Sequence, residues 1–273
     1  MLSSTPVVKA FIEDAGYTGD DLDHPEQTNM FLGCLVIPAA QAPHLWRQTG
    51  EAWELAGELT QNDPEHVELK GQQLYGSRGP FEEVDLQDSL KIIDLLVGAI
   101  IEQDVHLFWE GIPKDRWRNK LVSMNLNSRQ VPLLKTALFG FINVLYQTLD
   151  LLYPTGHFRI VGDENDWVSA GKLLQPPRER PWPKLLDGGV VFESSARIRG
   201  LQLADVLIHT LYRANKTSCP PPGKSPMLSR TDQIACAFLA KLEENRVVHP
   251  LTQVLKELSA KNGRSETEEH ESP

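Results

Sequence analysis

Apolar positions along the chain change between two spacings, which predicts strands that alternate with helices. The runs VVKAFIE, from Val7, and MFLGCLVIP, from Met30, have the near-continuous apolar character of buried strands. Further strands are predicted at HVELKG, VHLFWEGI, HFRIVGDEND and GVVFESS, and helices at QAPHLWRQTGEAWELAGEL, VDLQDSLKIIDLLVGAIIEQ, VPLLKTALFGFINVLYQTLDLLY, RGLQLADVLIHTLYRAN and TDQIACAFLAKLEEN. Strands followed by alternating helices and strands predict an α/β fold, with a mixed sheet and helices on both faces.

The first strand also predicts its own place in the sheet. Its near-continuous apolar character indicates burial on both faces, which is typical of a central strand. We therefore expect Val7–Glu13, Met30–Ile37 and His66–Lys70 to form one antiparallel sheet. The first strand should be central, and parallel to the strands that come later in the chain.

Length and composition limit the domain organisation. A chain of 273 residues, 41% of them apolar, is long enough for one large α/β domain with a sizeable core. We expect a single domain over residues 1–258, ending in a helical extension. A disordered acidic tail is predicted over residues 259–273, because SETEEHESP has too little apolar surface to fold. KTSCPPPGKSPMLS is predicted to be a loop, since three consecutive prolines interrupt both helices and strands.

Charge and cysteine content narrow the class of protein. The net charge of −10 argues against a broad nucleic-acid-binding surface, which needs clustered Lys and Arg, without excluding a local one. Three cysteines at unrelated spacings form neither a disulfide framework nor a zinc cluster, and are typical of reduced cytoplasmic thiols. With no signal segment and no membrane-spanning run, we predict a cytoplasmic protein without membrane association. The oligomeric state stays open.

The first predicted strand ends on two adjacent carboxylates, Glu13 and Asp14. Successive side chains on a strand point to opposite faces, so only one of the two can face a given cleft. The ends of strands are where α/β sheets usually bind ligands. The alternative interpretation is an exposed junction between strand and turn, where Asp close to Gly is favoured by the backbone.

Two other strand-like stretches carry charged residues. Glu68 and Lys70 are two residues apart in VELKG, so they share one strand face. They are either a structural ion pair, or a metal ligand beside a cation that faces phosphate. Asp163 follows an apolar run in IVGDEND. The alternative there, that Asn165 or Asp166 caps a following helix, explains the capping residue but leaves Asp163 without a role.

The predicted helix RGLQLADVLIHTLYR places Asp205 among apolar residues. A carboxylate removed from water needs a partner, because an unpaired buried charge is very costly. The alternatives are a metal ion, an arginine (Arg197, Arg199 or Arg213) and a helix N-terminus. A structural, salt-bridged Asp205 is as good an interpretation as a ligand for this helix alone.

Together these stretches resemble the domain-of-unknown-function family DUF3800. FIEDAG resembles the family's IDESG-type opening, ELKG its second block, and SARIRGLQLADVL its most specific block, a Ser followed by LQLAD on the closing helix. The blocks occur in the family's order over roughly residues 7–214, a span typical of one domain. The resemblance implies a ribonuclease H-like fold with an acidic metal site at the centre of a mixed sheet.

The resemblance also assigns positions. Glu13 stands in the place of the family's first acid, usually Asp, and Asp14 in the place of the following Glu. Asp205 matches the Asp of LQLAD, Ser195 the preceding Ser, and ELKG supplies Glu68 and Lys70. A Glu at the first position is one methylene longer, so it would shift a magnesium ion or bind it through water.

Glu110 and Asp163 compete for the place beside Glu13. Glu110 ends the strand in HLFWEG, which follows the first long helix. In a ribonuclease H-like sheet the strand after that helix lies beside the first strand, which favours Glu110. The implied metal ligands are thus Glu13, Glu110, Asp163 and Asp205, and the implied catalytic residues are Glu13, Asp14, Glu68 and Lys70.

The implied activity is metal-dependent, nuclease-like hydrolysis of phosphodiesters in a nucleic acid or nucleotide. Converging carboxylates repel one another, by roughly 4 kcal/mol for two charges about 4 Å apart, unless Mg²⁺ or Mn²⁺ neutralises them. Lys70 would hold the scissile phosphate. The alternative is a non-catalytic scaffold that binds a nucleotide, nucleic acid or protein. The presence of Glu13 where the family usually has Asp supports this alternative. An unrelated α/β protein with structural acids is the third interpretation.

Overall fold

The computed structural model describes residues 7–17, 22, 27–165, 168–179, 181–216 and 229–269. Strands and helices alternate within them. In chain order these are β1 (Val7–Ala15), β2 (Asn29–Pro38), α1 (Ala42–Thr60), α2 (Gly71–Gly76), α3 (Leu86–Ile101), β3 (His106–Pro113), α4 (Lys114–Ser123), α5 (Leu133–Leu152), β4 (His157–Asp163), β5 (Leu173–Leu174), β6 (Val190–Glu193), α6 (Arg199–Lys216), α7 (Arg230–Glu244), β7 (Val248–Pro250) and α8 (Leu251–Glu269).

The strands of the described residues form one mixed sheet in the order β5-β6-β4-β1-β2-β3-β7. β1 pairs antiparallel with β2, and β2 antiparallel with β3. β4 joins the other side of β1 in parallel, and β6 extends the sheet in parallel from β4. The α/β class and the mixed sheet are confirmed. β1 is the central strand, as its apolar character predicts, and it is parallel to β4.

Helices cover both faces of the sheet. Residues of β1 alternate between the faces, so Phe11 packs with α1, α3 and α6 while Ala10 and Ile12 pack with α5. Helix α6 lies very close to β2, because a Cβ at Gly33 would be 1.6 Å from Cδ1 of Ile208. This close approach brings the whole of α6, including Asp205, down onto the face that carries Phe11.

The segment His66–Lys70 is not a strand, so that part of the predicted antiparallel sheet is wrong; the third antiparallel strand is β3. Its backbone donors find partners outside a sheet, and the N–H groups of His66 and Val67 donate to the carbonyl of Asp63 (2.8 and 3.2 Å). The N–H of Leu69 donates to Oε1 of Gln202 (3.0 Å), and the N–H of Gly71 donates to Oδ1 of Asp205 (2.7 Å). These bonds satisfy the backbone without a neighbouring strand.

Three predictions concern chain segments outside the sheet. Helix α8 continues to Glu269, so the predicted start of a disordered tail at 259 falls inside a helix. Residues 270–273 and most of the proline-rich loop (217–228) lie outside the described residues, as does Asp166. Residues 168–172 are not helical, so Asn165 caps no helix there. None of the described helices has the length and apolar character needed to cross a bilayer.

Candidate active site

The ends of β1 and β4 place two carboxylates side by side. Ile12 pairs with Gly162 in the parallel register, so the next residues along, Glu13 and Asp163, lie at the same edge of the sheet. Both side chains lie on the same face of the sheet as Phe11, and α6 covers this face. Asp14 shares the opposite face with Ile12, so the structure separates the two adjacent acids that the sequence offers.

Helix α6 and the extended segment before α2 bring three more charged groups to this edge. The ammonium Nζ of Lys70 lies 3.4 Å from Oδ2 of Asp163, 3.5 Å from Oε1 of Glu68 and 3.9 Å from Oδ2 of Asp205. Asp205 therefore pairs with a lysine and with the N-terminus of α2, rather than with an arginine. A single ammonium is shared among several carboxylates.

Ser195 connects these groups. Its Oγ accepts a hydrogen bond from Nζ of Lys70 (2.8 Å) and lies 2.7 Å from Oε1 of Glu68 and 3.3 Å from Oδ2 of Asp163. A hydroxyl has one proton, and the shorter distance favours donation to Glu68. The backbone N–H of Ser195 also donates to Oδ1 of Asp163 (2.9 Å). The serine thus holds Glu68, Lys70 and Asp163 in one network.

Sequence reasoning missed Gln202, which binds the backbone of the segments that carry this network. Its buried Oε1 accepts hydrogen bonds from the indole of Trp53 (2.9 Å) and from the N–H of Leu69 (3.0 Å), and its Nε2 donates to the carbonyl of Ser195 (2.9 Å). Gln202 ties α6 to the segments that carry Lys70 and Ser195. The available signal was an amide within the otherwise apolar LQLA run of a helix.

The electrostatics of Glu13 are unusual. Its side chain is buried, and Oε1 has no hydrogen-bond partner. Burial raises the pKa of Glu13 well above its ordinary range, and the charges of Asp205 and Asp163 raise it further. The charge of Lys70 opposes this increase only in part.

Burial and the neighbouring charges also change the pKa values of Asp205 and Lys70. Burial raises the pKa of Asp205 to about 6, although Lys70 and the N–H of Gly71 oppose the increase. Burial by itself would lower the pKa of Lys70, but the charges of Asp205, Asp163, Glu13 and Glu68 raise it overall. Lys70 is therefore firmly cationic and does not act as a general base in this arrangement.

Glu110 lies away from this cluster, and the expectation that it neighbours Glu13 is wrong. β3 pairs with β2 rather than with β1, and Glu110 lies opposite Leu32, which in turn lies opposite Asp14. Glu110 is thus on the α5 face of the sheet. Its Oε2 accepts hydrogen bonds from the hydroxyl (2.7 Å) and the N–H (3.3 Å) of Thr252.

The cluster fits a divalent cation by chemistry, but its side chains are arranged around a lysine. Carboxylate oxygens are the ligands that Mg²⁺ and Mn²⁺ prefer, and the partnerless Oε1 of Glu13 is an oxygen to which a cation could bind. Within the described residues, no three His, Cys, Asp or Glu side chains form a group that could hold a metal ion as they stand. The ammonium of Lys70 lies between the carboxylates instead.

The chain matches no family model, and comparisons with curated proteins and with solved structures give no match either.

Proposed function

We propose that the protein is a metal-dependent phosphodiester hydrolase of the nuclease type, with a ribonuclease H-like fold. The observation that supports this most is the convergence of carboxylates from separate parts of the chain. Glu13 lies near the end of β1, Asp163 ends β4, and Asp205 projects from α6, all at one edge of the sheet. The mutual repulsion of these carboxylates costs free energy. A purely structural role would not require them to converge.

The sheet order supports the fold proposal. The antiparallel strands β1–β3, with β4 in parallel on the other side of β1, form a mixed sheet of the kind that the resemblance to DUF3800 implies. Because β4 rather than β3 lies beside β1, we assign to Asp163 the place for which Glu110 competed.

Each residue of the cluster has its own role in this proposal. Glu13, Asp163 and Asp205 would hold Mg²⁺ or Mn²⁺, which when bound supplies charge stabilisation and an activated water for attack on phosphorus. Lys70 would turn from the carboxylates towards a phosphate oxygen, and Ser195 would keep Glu68 and Lys70 aligned. The high pKa of Lys70 suits this role, because the ammonium stays charged beside a phosphate. We further propose that the protein acts in the cytoplasm.

A second candidate is a non-catalytic scaffold that binds a nucleotide, nucleic acid or protein. The position of Lys70 favours it, since an internal ammonium already neutralises part of the carboxylate charge that a metal ion would neutralise. The raised pKa of Glu13 favours it too, because a raised pKa disfavours the ionised carboxylate to which a metal ion binds.

A cleavage screen distinguishes the two candidates. Single- and double-stranded DNA, RNA and hybrid substrates are incubated with the protein and Mg²⁺, Mn²⁺ or a chelator. We expect metal-dependent cleavage that Glu13→Gln and Asp205→Asn each reduce by at least about a hundredfold. Glu54→Gln, an exposed change on α1, is the control and should cleave normally. No cleavage of any substrate with either metal would favour the scaffold.

A further inference from the structure

A cavity of about 590 Å³ lies on the α6 face of the sheet, next to the carboxylate cluster. Its volume is within the range of small-molecule binding sites. Apolar side chains form much of its wall, among them Phe11, Val161, Val191 and Ile198, and Trp46 of α1 lies at its side. The rings of Trp46 and Phe11 meet edge to face, with centroids 6.5 Å apart.

Strand register explains what lies beside this apolar wall. Lys9 pairs with Arg159 in the β1–β4 ladder, and two residues further along Phe11 pairs with Val161. Two residues beyond those come Glu13 and Asp163. The same sheet face therefore carries a cationic row, an apolar row and then the carboxylate row. The cavity covers the first two rows and reaches the third at Glu193.

The cavity has a positive rim in a chain of net charge −10. Four cations line it, against two carboxylates; the six residues are Lys9, Arg159, Arg197, Arg199, Asp187 and Glu193. Arg159 is held by two hydrogen bonds to Asp187, and Arg199 stacks on Trp53. Within the described part of the chain, neither Lys9 nor Arg197 has a hydrogen bond or ion pair through its side chain. Their charges are available to a ligand.

We propose that this cavity binds a nucleotide, with the base against Trp46 and Phe11 and the phosphate at Lys9 and Arg197. An aromatic and aliphatic wall suits a flat base, because base–aromatic contacts stabilise binding without needing a specific hydrogen-bond pattern. Two cations without protein partners suit a phosphate group. Arg197 ends the turn Ser195–Arg197, whose first residue binds Glu68, Lys70 and Asp163, so the nucleotide would adjoin the carboxylate cluster.

This inference goes beyond the proposed hydrolase, since binding in the cavity requires neither a metal ion nor cleavage. Adenosine monophosphate is therefore titrated calorimetrically into the protein in the presence of a chelator at low salt, with adenosine and inorganic phosphate as separate arms. We expect the monophosphate to bind at least about tenfold more tightly than either fragment, because only it contacts both the apolar wall and the cations. Phosphate that binds as tightly as the monophosphate would overturn the assignment of the base.

Variants of the residues that line the cavity test whether adenosine monophosphate binds there. Lys9→Gln combined with Arg197→Gln changes two side chains at the rim, Arg197 being exposed and Lys9 half-buried, and should weaken binding of the monophosphate by about tenfold or more. Trp46→Leu should weaken the monophosphate and adenosine alike, by about tenfold, and leave phosphate unchanged. Arg116→Gln, exposed on α4, is the matched control and should bind normally. No binding by the wild-type protein, or unchanged affinity in the double variant, would overturn the proposal. Neither result bears on metal-dependent cleavage, which is measured separately.

Discussion

The ammonium of Lys70 lies 3.4 Å from Oδ2 of Asp163, although 93 residues separate the two in the chain. Asp205 and Glu68 are within 4 Å of the same nitrogen, at 3.9 and 3.5 Å. Lys70 is thus the counter-ion of the carboxylate cluster. A metal ion and Lys70 would compete for the same negative charges, which leads to a first prediction.

Replacing Lys70 should strengthen metal binding while it weakens the metal-free fold. In Lys70→Gln the free energy of unfolding at neutral pH should fall by about 1–3 kcal/mol, a range discounted for the partial exposure of the lysine. Mn²⁺ should then raise the melting temperature more than it does in the wild type, since ligands specific for the native state stabilise it by mass action. Thermal melts with a Mn²⁺ titration measure both effects.

Lys91→Gln is the control for this experiment, because Lys91 also pairs with a carboxylate, Asp88, but is largely exposed. It should change neither quantity noticeably. A Lys70→Gln protein that loses all stabilisation by Mn²⁺ would contradict the competition between lysine and metal.

Glu13 should make the metal-free protein less stable as pH rises. The pKa of Glu13 is raised in the folded state, so its contribution to stability is fully present below the ordinary glutamate pKa of about 4.3 and is lost as pH rises through the folded pKa. Glu13→Gln should therefore be more stable than the wild type at neutral and alkaline pH. Urea denaturation with a chelator, at a series of pH values, measures the difference.

The dependence of stability on pH that remains in Glu13→Gln should come partly from Asp205. Asp205 has its pKa raised to about 6, so its own loss of stability should end near that pH. Glu54→Gln should keep the full wild-type profile. Identical profiles for wild type and Glu13→Gln would mean that Glu13 is not the buried carboxyl with a raised pKa described above.

The hydroxyl of Ser195 should contribute more to the unfolding free energy than that of the neighbouring Ser194. Ser195→Ala removes an acceptor for Lys70 and a donor for Glu68, which should cost about 1–2 kcal/mol of unfolding free energy in chemical denaturation. The same change at Ser194, which makes no side-chain hydrogen bond among the described residues, should cost little. Equal losses in the two variants would mean that the network carries no stability.

The buried amide of Gln202 should be the most sensitive position on α6. Gln202→Leu keeps the volume but leaves the indole N–H of Trp53 and the N–H of Leu69 without an acceptor, which should cost about 2–5 kcal/mol. Gln72→Leu, exposed on α2, should change the unfolding free energy by less than about 0.5 kcal/mol. A near-neutral Gln202→Leu would show that water replaces the lost acceptor.

Local pattern was sufficient for much of this protein. Periods of two and of three to four residues identify the main strands and helices, because side-chain direction follows from backbone geometry alone. The apolar run of β1 indicates burial on both faces and hence its central place. Alternation along the same strand assigns Glu13 and Asp14 to opposite faces, whichever segments the strand pairs with.

Long-range pairing was beyond the reach of the sequence pattern. Asp163 and Glu110 both follow apolar stretches of their strands, and only the order of the strands places Asp163 beside Glu13 and Glu110 on the opposite face. His66–Lys70 has the pattern of a strand, yet the N–H of Leu69 donates to Gln202 of α6 and the N–H of the following Gly71 donates to Asp205. A pattern fixes which way side chains point along one segment. Which segments meet depends on the free energy of packing the whole chain, and so the lysine at the centre of the carboxylates was decided by tertiary structure alone.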